Sequence, residues 1–277
     1  MRLKAYGKIN LSLDICGKRQ DGYHTLRSVF LPIDFYDDVE INRAHEDSFE
    51  CNQSFLKFNE SNTVYKALEL MRSEFGISDK FSIRLNKLIP TQAGLAGGSG
   101  NAAAVIRYFN YAYHLNLSEE KIKELCMKIG ADVLFTYFCK PALVEGIGDI
   151  ITPVEVKKDY YCLIVKPRMG VSTKKCYELV DTNPAVHPDI DSLVQALRNG
   201  TDFKPYLGNS MEEAAISLVP EIARIKNKML EYGADFSLMS GSGSSVFTLS
   251  EDEKLIRHLY HKFKKSNYLV RHTRILK

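Results

Sequence analysis

The chain lacks several features that would settle its class at once. No stretch matches G-x-x-x-x-G-K-[ST], so a P-loop nucleotide site is excluded. The cysteines Cys16, Cys51, Cys126, Cys139, Cys162 and Cys176 show no C-x-x-C spacing, and no His/Cys/carboxylate cluster suggests zinc. Several of these cysteines sit in apolar runs, which predicts buried free thiols in a reducing compartment. The first residues, MRLKAYGKINLSL, contain no continuous apolar segment of signal-peptide type. No apolar run approaches the roughly 18 residues that a spanning helix requires. The expectation is a cytoplasmic protein, or one of an equivalent soluble compartment, with no membrane partner. Internal repeats and low-complexity linkers are absent too.

Charge of either sign is scarce in excess. The net value is +3 over 277 residues, compatible with an anionic ligand and equally with none. Sharp basic clustering, the mark of nucleic-acid binders, is missing. The nearest case, KFKKS at 262–266, reads as a solvated helix end. What is present is ordinary globular composition, 45% apolar and 26% charged. That length fits one large or two medium domains.

Ile9, Leu11, Leu13 and Ile15 alternate along an opening strand. GKRQDGYHTLRS reads as a polar loop with Asp21-Gly22 as its turn, and VFLPIDFYDDVEIN as further strand. From Asn62, the stripe Val64, Ala67, Leu68, Met71 and Phe75 predicts a helix that Gly76 stops. FSIRLNKLIP is a strand leading into a glycine loop and then a helix. SEEKIKELCMKIG is another helix, with Ser118 as N-cap and Gly130 at its end. ALVEGIGDIITPV reads as two strands about a tight turn. After the charged break VKKD a fresh strand begins at Tyr160. The domain boundary is therefore expected near residue 156, giving domains 1–155 and 156–277. Strands and helices mix without a regular βαβ rhythm, which predicts two α+β domains.

The most informative stretch is IPTQAGLAGGSGNAAAVI, Ile89 to Ile106, with four glycines between Gly94 and Gly100. GSGNAA also fits the dinucleotide pattern G-x-G-x-x-A. That motif requires a strand ending in an acidic residue about 20 positions on, and here a second helix follows instead. A phosphate cradle remains physically sound. Glycines allow close backbone approach and positive φ. The following helix offers unpaired N–H groups and partial positive charge. Ser99 adds a hydroxyl. A plain flexible connector into a small-residue helix is the other reading.

The order P-x-x-x-G-L-A-G-G-S after a strand, the N-terminal KINLSL and the late SGSGSSVF together resemble the GHMP kinase superfamily. That group includes galactokinases, homoserine kinases and mevalonate kinases, which bind ATP with such a glycine loop. KINLSLDICGKRQDGYHTL (Lys8 to Leu26), GADVLF, EGIGDIITP and SGSGSSVF narrow the resemblance to the branch acting in the non-mevalonate isoprenoid pathway. It implies a ribosomal-S5-domain-2-like N-terminal domain and a ferredoxin-like α/β-plait C-terminal domain. It also implies transfer of the ATP γ-phosphate, with Mg²⁺, to the 2-hydroxyl of a cytidine-diphosphate-linked methylerythritol, by a monomer or weak homodimer with no nucleic-acid partner. Departures from the pattern are Ala93, Ala96 and Gly100 in the loop, Leu134 where proline is frequent, and Ser210 where aspartate is common.

By the same resemblance, Asp132 is the general base and Lys8 its partner. A carboxylate of ordinary pKa, about 4, cannot strip an alcohol of pKa roughly 15 beforehand. Proton transfer would come late, as a loose phosphoryl-transfer transition state allows. Equally, Asp132 could cap a helix and Lys8 could be an edge charge. Gly94, Leu95, Ala96, Gly97, Gly98, Ser99, Gly100 and Asn101 would hold ATP phosphates. Asn62 would touch adenine or cap its helix. Tyr23 and His24 would meet the cytosine, with Tyr177 on its other face. Asn10, Gly241 and Gly243 would lie on the acceptor side. The rivals are a homoserine- or mevalonate-type kinase, and a nucleotide sensor or RNA binder built on the same scaffold.

Overall fold

The computed structural model describes residues 1–181 and 186–277. The chain forms two compact units, and each is interleaved in sequence. One comprises 1–7, 35–90 and 96–139; the other comprises 8–34, 91–95 and 140–277.

Two long strands run through both units: β1 (Arg2–Lys18) and β2 (His24–Ala44), paired with one another. In the first unit the later part of β2 pairs antiparallel with β4 (Lys80–Asn86), and β3 (Ser48–Cys51) joins β4 in parallel. Four helices complete this unit: α1 (Thr63–Phe75), α2 (Gly97–Ala112), α3 (Glu119–Ile129) and α4 (Ala131–Phe138). α1 starts where Asn62 accepts from the Val64 N–H and stops at Gly76, whose φ of 63° suits glycine. Its buried face is Val64, Ala67, Leu68 and Met71, the expected stripe without Phe75. α2 packs against both α1 and α4. Small residues Ala102, Ala103 and Ala104 are fully buried there, so α2 can lie close to its neighbours.

In the second unit the early part of β2 (Leu26 to Phe30) pairs antiparallel with β5 (Ala142–Gly146), which pairs with β6 (Ile150–Pro153). A separate four-stranded sheet holds β7 (Tyr161–Lys166), β8 (Leu238–Met239), β9 (Val246–Ser250) and β10 (Leu269–Arg274). Its order is β10-β7-β9-β8, antiparallel throughout, which is the ferredoxin-like arrangement. The helices of this unit are α5 (Thr173–Val180), α6 (Ile190–Asn199), α7 (Glu212–Leu218), α8 (Glu221–Glu231) and α9 (Glu253–Phe263). Leu163, Val165 and Val246 of the sheet bury against Ile222, Ile225, Ile256 and Leu259. The α+β class expected from the sequence is the class observed.

Two local expectations change. The polar loop expected over GKRQDGYHTLRS is only a short turn, because β1 continues to Lys18 and β2 begins at His24. The Arg19 N–H donates to the Tyr23 carbonyl at 2.7 Å, and Gly22 takes φ 87° at the Asp21-Gly22 turn. Pairing across the hairpin satisfies backbone groups that polar side chains alone had suggested were solvated. The second change concerns β1. Its alternation predicts one dry and one wet face, yet Lys8, Asn10 and Ser12 are as buried as Ile9, Leu11 and Leu13.

Asp37 is the buried anchor of the first unit. It is fully inaccessible and accepts from the Leu88 N–H (2.7 Å), the Ile89 N–H (2.7 Å) and Asn101 Nδ2 (2.9 Å). Lys87 Nζ, also buried, pairs with it. One carboxylate thus ties the end of β4 to the first turns of α2. Replacing Asp37 with alanine strands a buried ammonium and two N–H groups. Urea unfolding of Asp37→Ala is expected to show a loss of about 3–5 kcal/mol; a loss below about 1 kcal/mol would count against the anchor.

Candidate active site

The glycine stretch is held in place by two sets of contacts, one in each unit. Gly94 adopts φ 72° and leaves no room for a side chain: a Cβ there would lie 1.9 Å from the Ser240 carbonyl oxygen. The Gly94 carbonyl accepts from Ser240 Oγ at 2.9 Å, and the Leu95 carbonyl accepts from the Lys8 N–H at 3.1 Å. The Ser245 N–H donates to the Ala93 carbonyl at 3.2 Å. Residues 93–95 are therefore laced to β1 and to the late loop Ser240–Ser245. Gly241 (φ 57°) and Gly243 (φ 84°) in that loop are equally confined, with Cβ positions 3.0 Å from Asn10 Oδ1 and 2.6 Å from Met239 Sδ.

α2 begins without a side-chain cap, as α4, α7 and α8 also do. α1, α3, α5, α6 and α9 each carry a side-chain N-cap, from Asn62, Ser118, Ser172, Asp189 and Asp252 respectively. α2 has Ala96 at that position, in the left-handed conformation with φ 55°, and no side-chain cap. The opening N–H groups of an α-helix have no intrahelical partner, and the dipole places partial positive charge there. Gly98 and Ser99 are half-buried rather than sealed. A Cβ on Gly98 would make only ordinary contact with Thr63 Oγ1, at 3.4 Å. Thr63 Oγ1 donates to the Gly98 carbonyl at 2.7 Å and so steadies the turn. By contrast Gly97 abuts Lys87 Nζ, with a Cβ-to-nitrogen distance of 2.8 Å, and Gly100 abuts the Tyr6 carbonyl at 2.9 Å. The geometry suits a phosphate at Gly98 and Ser99: backbone donors, a hydroxyl, partial positive charge and no side chain in the way. Gly100 faces β1.

Lys87 was not among the residues singled out from the sequence. Its signal was faint, one lysine in RLNKLIP four positions after Ile83 on an alternating strand. Only the folded chain brings its ammonium beside the first residue of α2.

In the second unit a buried polar ladder runs along β1. Lys8 Nζ donates to Asn10 Oδ1 at 2.6 Å and lies 4.3 Å over the Phe30 ring. Asn10 Nδ2 donates to Ser28 Oγ at 2.9 Å, and the Asn10 N–H donates to Ser240 Oγ at 3.1 Å. Ser28 Oγ donates to the Ser12 carbonyl, and Ser12 Oγ donates to the Gly208 carbonyl at 2.8 Å. Asn209 Nδ2 closes the set on the Met239 and Gly241 carbonyls, at 2.8 and 2.9 Å. The structure thus brings Lys8, Asn10 and Gly241 together.

Also in the second unit, Tyr23 stands 63% exposed beside the hairpin turn. His24 stacks on Tyr177, with ring centroids 4.6 Å apart and planes 19° from parallel. The structure thus brings His24 and Tyr177 together across 153 residues of sequence, the difference of 177 and 24. Asp181, which sequence reading missed, accepts from His24 Nε2 at 2.6 Å and from Lys18 Nζ at 2.5 Å. The bond from His24, followed by that from Lys18, holds the Asp181 carboxyl below the usual aspartate range.

Asp132 occupies the first turn of α4, half-buried, where the helix dipole favours a carboxylate. Its carbonyl accepts from Thr136 Oγ1 at 3.0 Å. Asp132 belongs to the first unit and Lys8 to the second. Asn62 acts as the cap: Oδ1 accepts from the Val64 N–H and Nδ2 donates to the Lys57 carbonyl at 3.0 Å. Its remaining capacity is one N–H and one lone pair. Asn101 is buried with Nδ2 on Asp37. Ser210, the departure from aspartate, donates to the Val186 carbonyl at 2.7 Å. Three of the cysteines, Cys126, Cys162 and Cys176, are buried free thiols. Among the described residues no group of three His, Cys, Asp or Glu side chains could hold a metal, and no helix is long and apolar enough to cross a membrane.

Comparison with known proteins shows the family. Residues 62–140 match the model of the GHMP kinases N terminal domain, and residues 185–269 match that of the GHMP kinases C terminal. The fold and the glycine-loop site define a small-molecule kinase of the GHMP class. The 4-diphosphocytidyl-2-C-methyl-D-erythritol kinase of Lachnoclostridium phytofermentans is 42% identical over 272 residues, covering 96% of this chain and 93% of that protein. That of Clostridium beijerinckii is 39% identical, covering 96% of each. A crystal structure of 4-(cytidine 5'-diphospho)-2C-methyl-D-erythritol kinase superposes with a TM-score of 0.84 at 27% identity, covering 100% of both chains. The chain belongs to the 4-diphosphocytidyl-2-C-methyl-D-erythritol kinase family. A homoserine kinase of Cytophaga hutchinsonii shares the fold, with a TM-score of 0.75 at 18% identity over 98% of this chain and 94% of that one.

Gly94→Ala is expected to fail by misfolding rather than by weak nucleotide binding, because its Cβ would overlap a backbone carbonyl in a φ region hostile to alanine. A thermal melt should show a lost or strongly lowered transition, with at least about 3 kcal/mol of stability removed. An unchanged melting temperature would mean that the two glycine loops do not abut.

Proposed function

We propose that this enzyme transfers the γ-phosphoryl group of ATP to the 2-hydroxyl of 4-diphosphocytidyl-2-C-methyl-D-erythritol, giving the 2-phosphate and ADP for isoprenoid synthesis. The observation that carries the reading is the uncapped start of α2, with Gly98 and Ser99 accessible, in a chain about 40% identical to kinases named for that substrate. The two family matches fall on either side of residue 156 and are compatible with domains of 1–155 and 156–277, while the compact units interleave differently, the second taking in 8–34 and 140–155.

The N–H groups of Gly98 and Ser99 would hold phosphate oxygens, and Gly94 to Gly97 with Gly100 and Asn101 would shape the loop around them. Mg²⁺, when bound with ATP, would offset the negative charge of the phosphates, with Ser99 as the residue that would help to hold it. The residues present fit that complex: Ser99 supplies one hydroxyl, and the phosphates themselves supply the other oxygens. Asn62 would reach adenine only through the capacity left by its capping bonds.

Asp132 would accept the acceptor's proton late in the transfer, as the strength of the alcohol bond requires. Lys8 would keep charge near the transferred group balanced. Its bond to Asn10 points the ammonium along the buried ladder, and Asn10, Gly241 and Gly243 would border the acceptor. Tyr23, His24 and Tyr177 supply aromatic surface for the cytosine, worth about 1–3 kcal/mol per stacked base. The exposure of Tyr23 supports this role, because it leaves a ring face accessible to a base.

An ADP-release assay with Mg-ATP and the cytidine compound, set beside homoserine and mevalonate, tests the whole reading. Turnover of the cytidine compound alone is expected, and turnover of another acceptor instead would refute it. Asp132→Asn should lower kcat by about 10²–10⁴-fold with ATP affinity retained; near-normal turnover would remove Asp132 as the base. Gly98→Ala should leave the melting temperature equal or higher, since alanine favours a helix by about 1 kcal/mol over glycine. Its KM for ATP should nonetheless rise about 10–100-fold as the phosphates are displaced. Unaltered KM would place the phosphates elsewhere.

A further inference from the structure

We infer that Asp181 is a positioning residue that, with Lys18, makes His24 a hydrogen-bond acceptor and so selects a cytosine over a uracil. The inference rests on the proposed base site at Tyr23, His24 and Tyr177 and deepens it.

A carboxylate can only accept hydrogen bonds. Asp181 Oδ1 lies 2.6 Å from His24 Nε2, so Nε2 carries the proton. In a neutral imidazole Nδ1 is then bare and can only accept. Among the described residues no protein group bonds to that Nδ1. Lys18 Nζ occupies the other carboxylate oxygen at 2.5 Å, which leaves Asp181 no freedom to turn away. The stack on Tyr177, with planes 19° apart, fixes the ring plane. A partner bonded edge-on to Nδ1 would therefore lie in a layer parallel to the Tyr177 ring, which is where a stacked base belongs.

The placement of Asp181 supports a purpose beyond stability. It is the C-cap residue of α5. A carboxylate at a helix C-terminus works against the dipole, and its side chain is about one-third exposed. A neutral residue would serve the helix better.

The chemistry of the ligand follows. Cytosine presents an exocyclic amino group, a donor, where uracil presents a carbonyl oxygen, an acceptor. A bare Nδ1 satisfies the first and confronts the second lone pair to lone pair. A site built on such a bond rejects the mismatched analogue because its own polar group is left unpaired.

The test is equilibrium binding of CDP and UDP to the full chain. The wild type is expected to prefer CDP by about tenfold or more. In Asp181→Asn, Lys18 can only donate and so takes the amide carbonyl. The amide NH₂ then faces Nε2, the imidazole proton moves to Nδ1, and the CDP-to-UDP ratio should fall to within about threefold of unity or invert. Adding Lys18→Met should let the amide turn back and restore a preference for CDP. A purely structural role for Asp181 would weaken both nucleotides together and leave the ratio alone. An unchanged ratio in Asp181→Asn, or no return of preference in the double variant, overturns the inference. Tyr23→Ala separates this failure from failure of the base site. Loss of CDP affinity there with an unmoved Asp181→Asn ratio keeps the base site and removes the role of Asp181. CDP affinity untouched by Tyr23→Ala removes both.

Discussion

Much of the second unit depends on the polar face of β1 being satisfied while buried. Asn10 is its node, with its Oδ1, Nδ2 and backbone N–H all engaged, by Lys8, Ser28 and Ser240 respectively. A buried amide left unpaired would cost about 1–3 kcal/mol, and a buried ammonium more. The ladder removes those costs and in doing so fixes where the early and late glycine loops lie. Ser240 bonds both Asn10 and the Gly94 carbonyl, so one hydroxyl registers β1 against both loops. Buried polar sets of this kind work when every member is paired, and this one is.

The glycines divide by what surrounds them. Gly94, Gly97, Gly100 and Gly243 would each bring a Cβ closer than 3.0 Å to a neighbouring protein atom, and Gly241 is tight at 3.0 Å. Gly98 is different, since its Cβ would meet only ordinary contact. The distinction ties packing to function. A loop can approach a phosphate only if something else holds it still, and close packing at the other glycines does so. Asp37 performs the matching task from the first unit, clamping the end of β4 to α2.

The resemblance to known kinases rests on short ordered motifs, and several could be read directly. Asp21-Gly22 announced its turn, Asn62 and Ser118 announced their caps, and Gly76 announced a helix end. These are local effects, set by residues within four positions of each other. Asp37 looked like one acidic residue in a polar half of a strand, and Lys87 like an ordinary strand lysine. Nothing local marked them as a buried pair, because 50 residues separate them. Asp181 was silent for the same reason, being brought to His24 by the meeting of α5 and β2.

By itself the sequence determined the α+β class, the ends of α1 and α3, the turn and cap chemistry, and the candidacy of Lys8, Tyr23, His24, Gly98 and Asp132. Those follow from backbone preferences, periodicity and motif order, all of which act along the chain. The tertiary structure decided that the second face of β1 is dry, which glycines face protein, that Lys87 lies beside the start of α2, and that His24 is held by Asp181 against Tyr177. Each of these depends on groups far apart in sequence, and burial and hydrogen bonding between such groups are determined only once the strands and helices have packed.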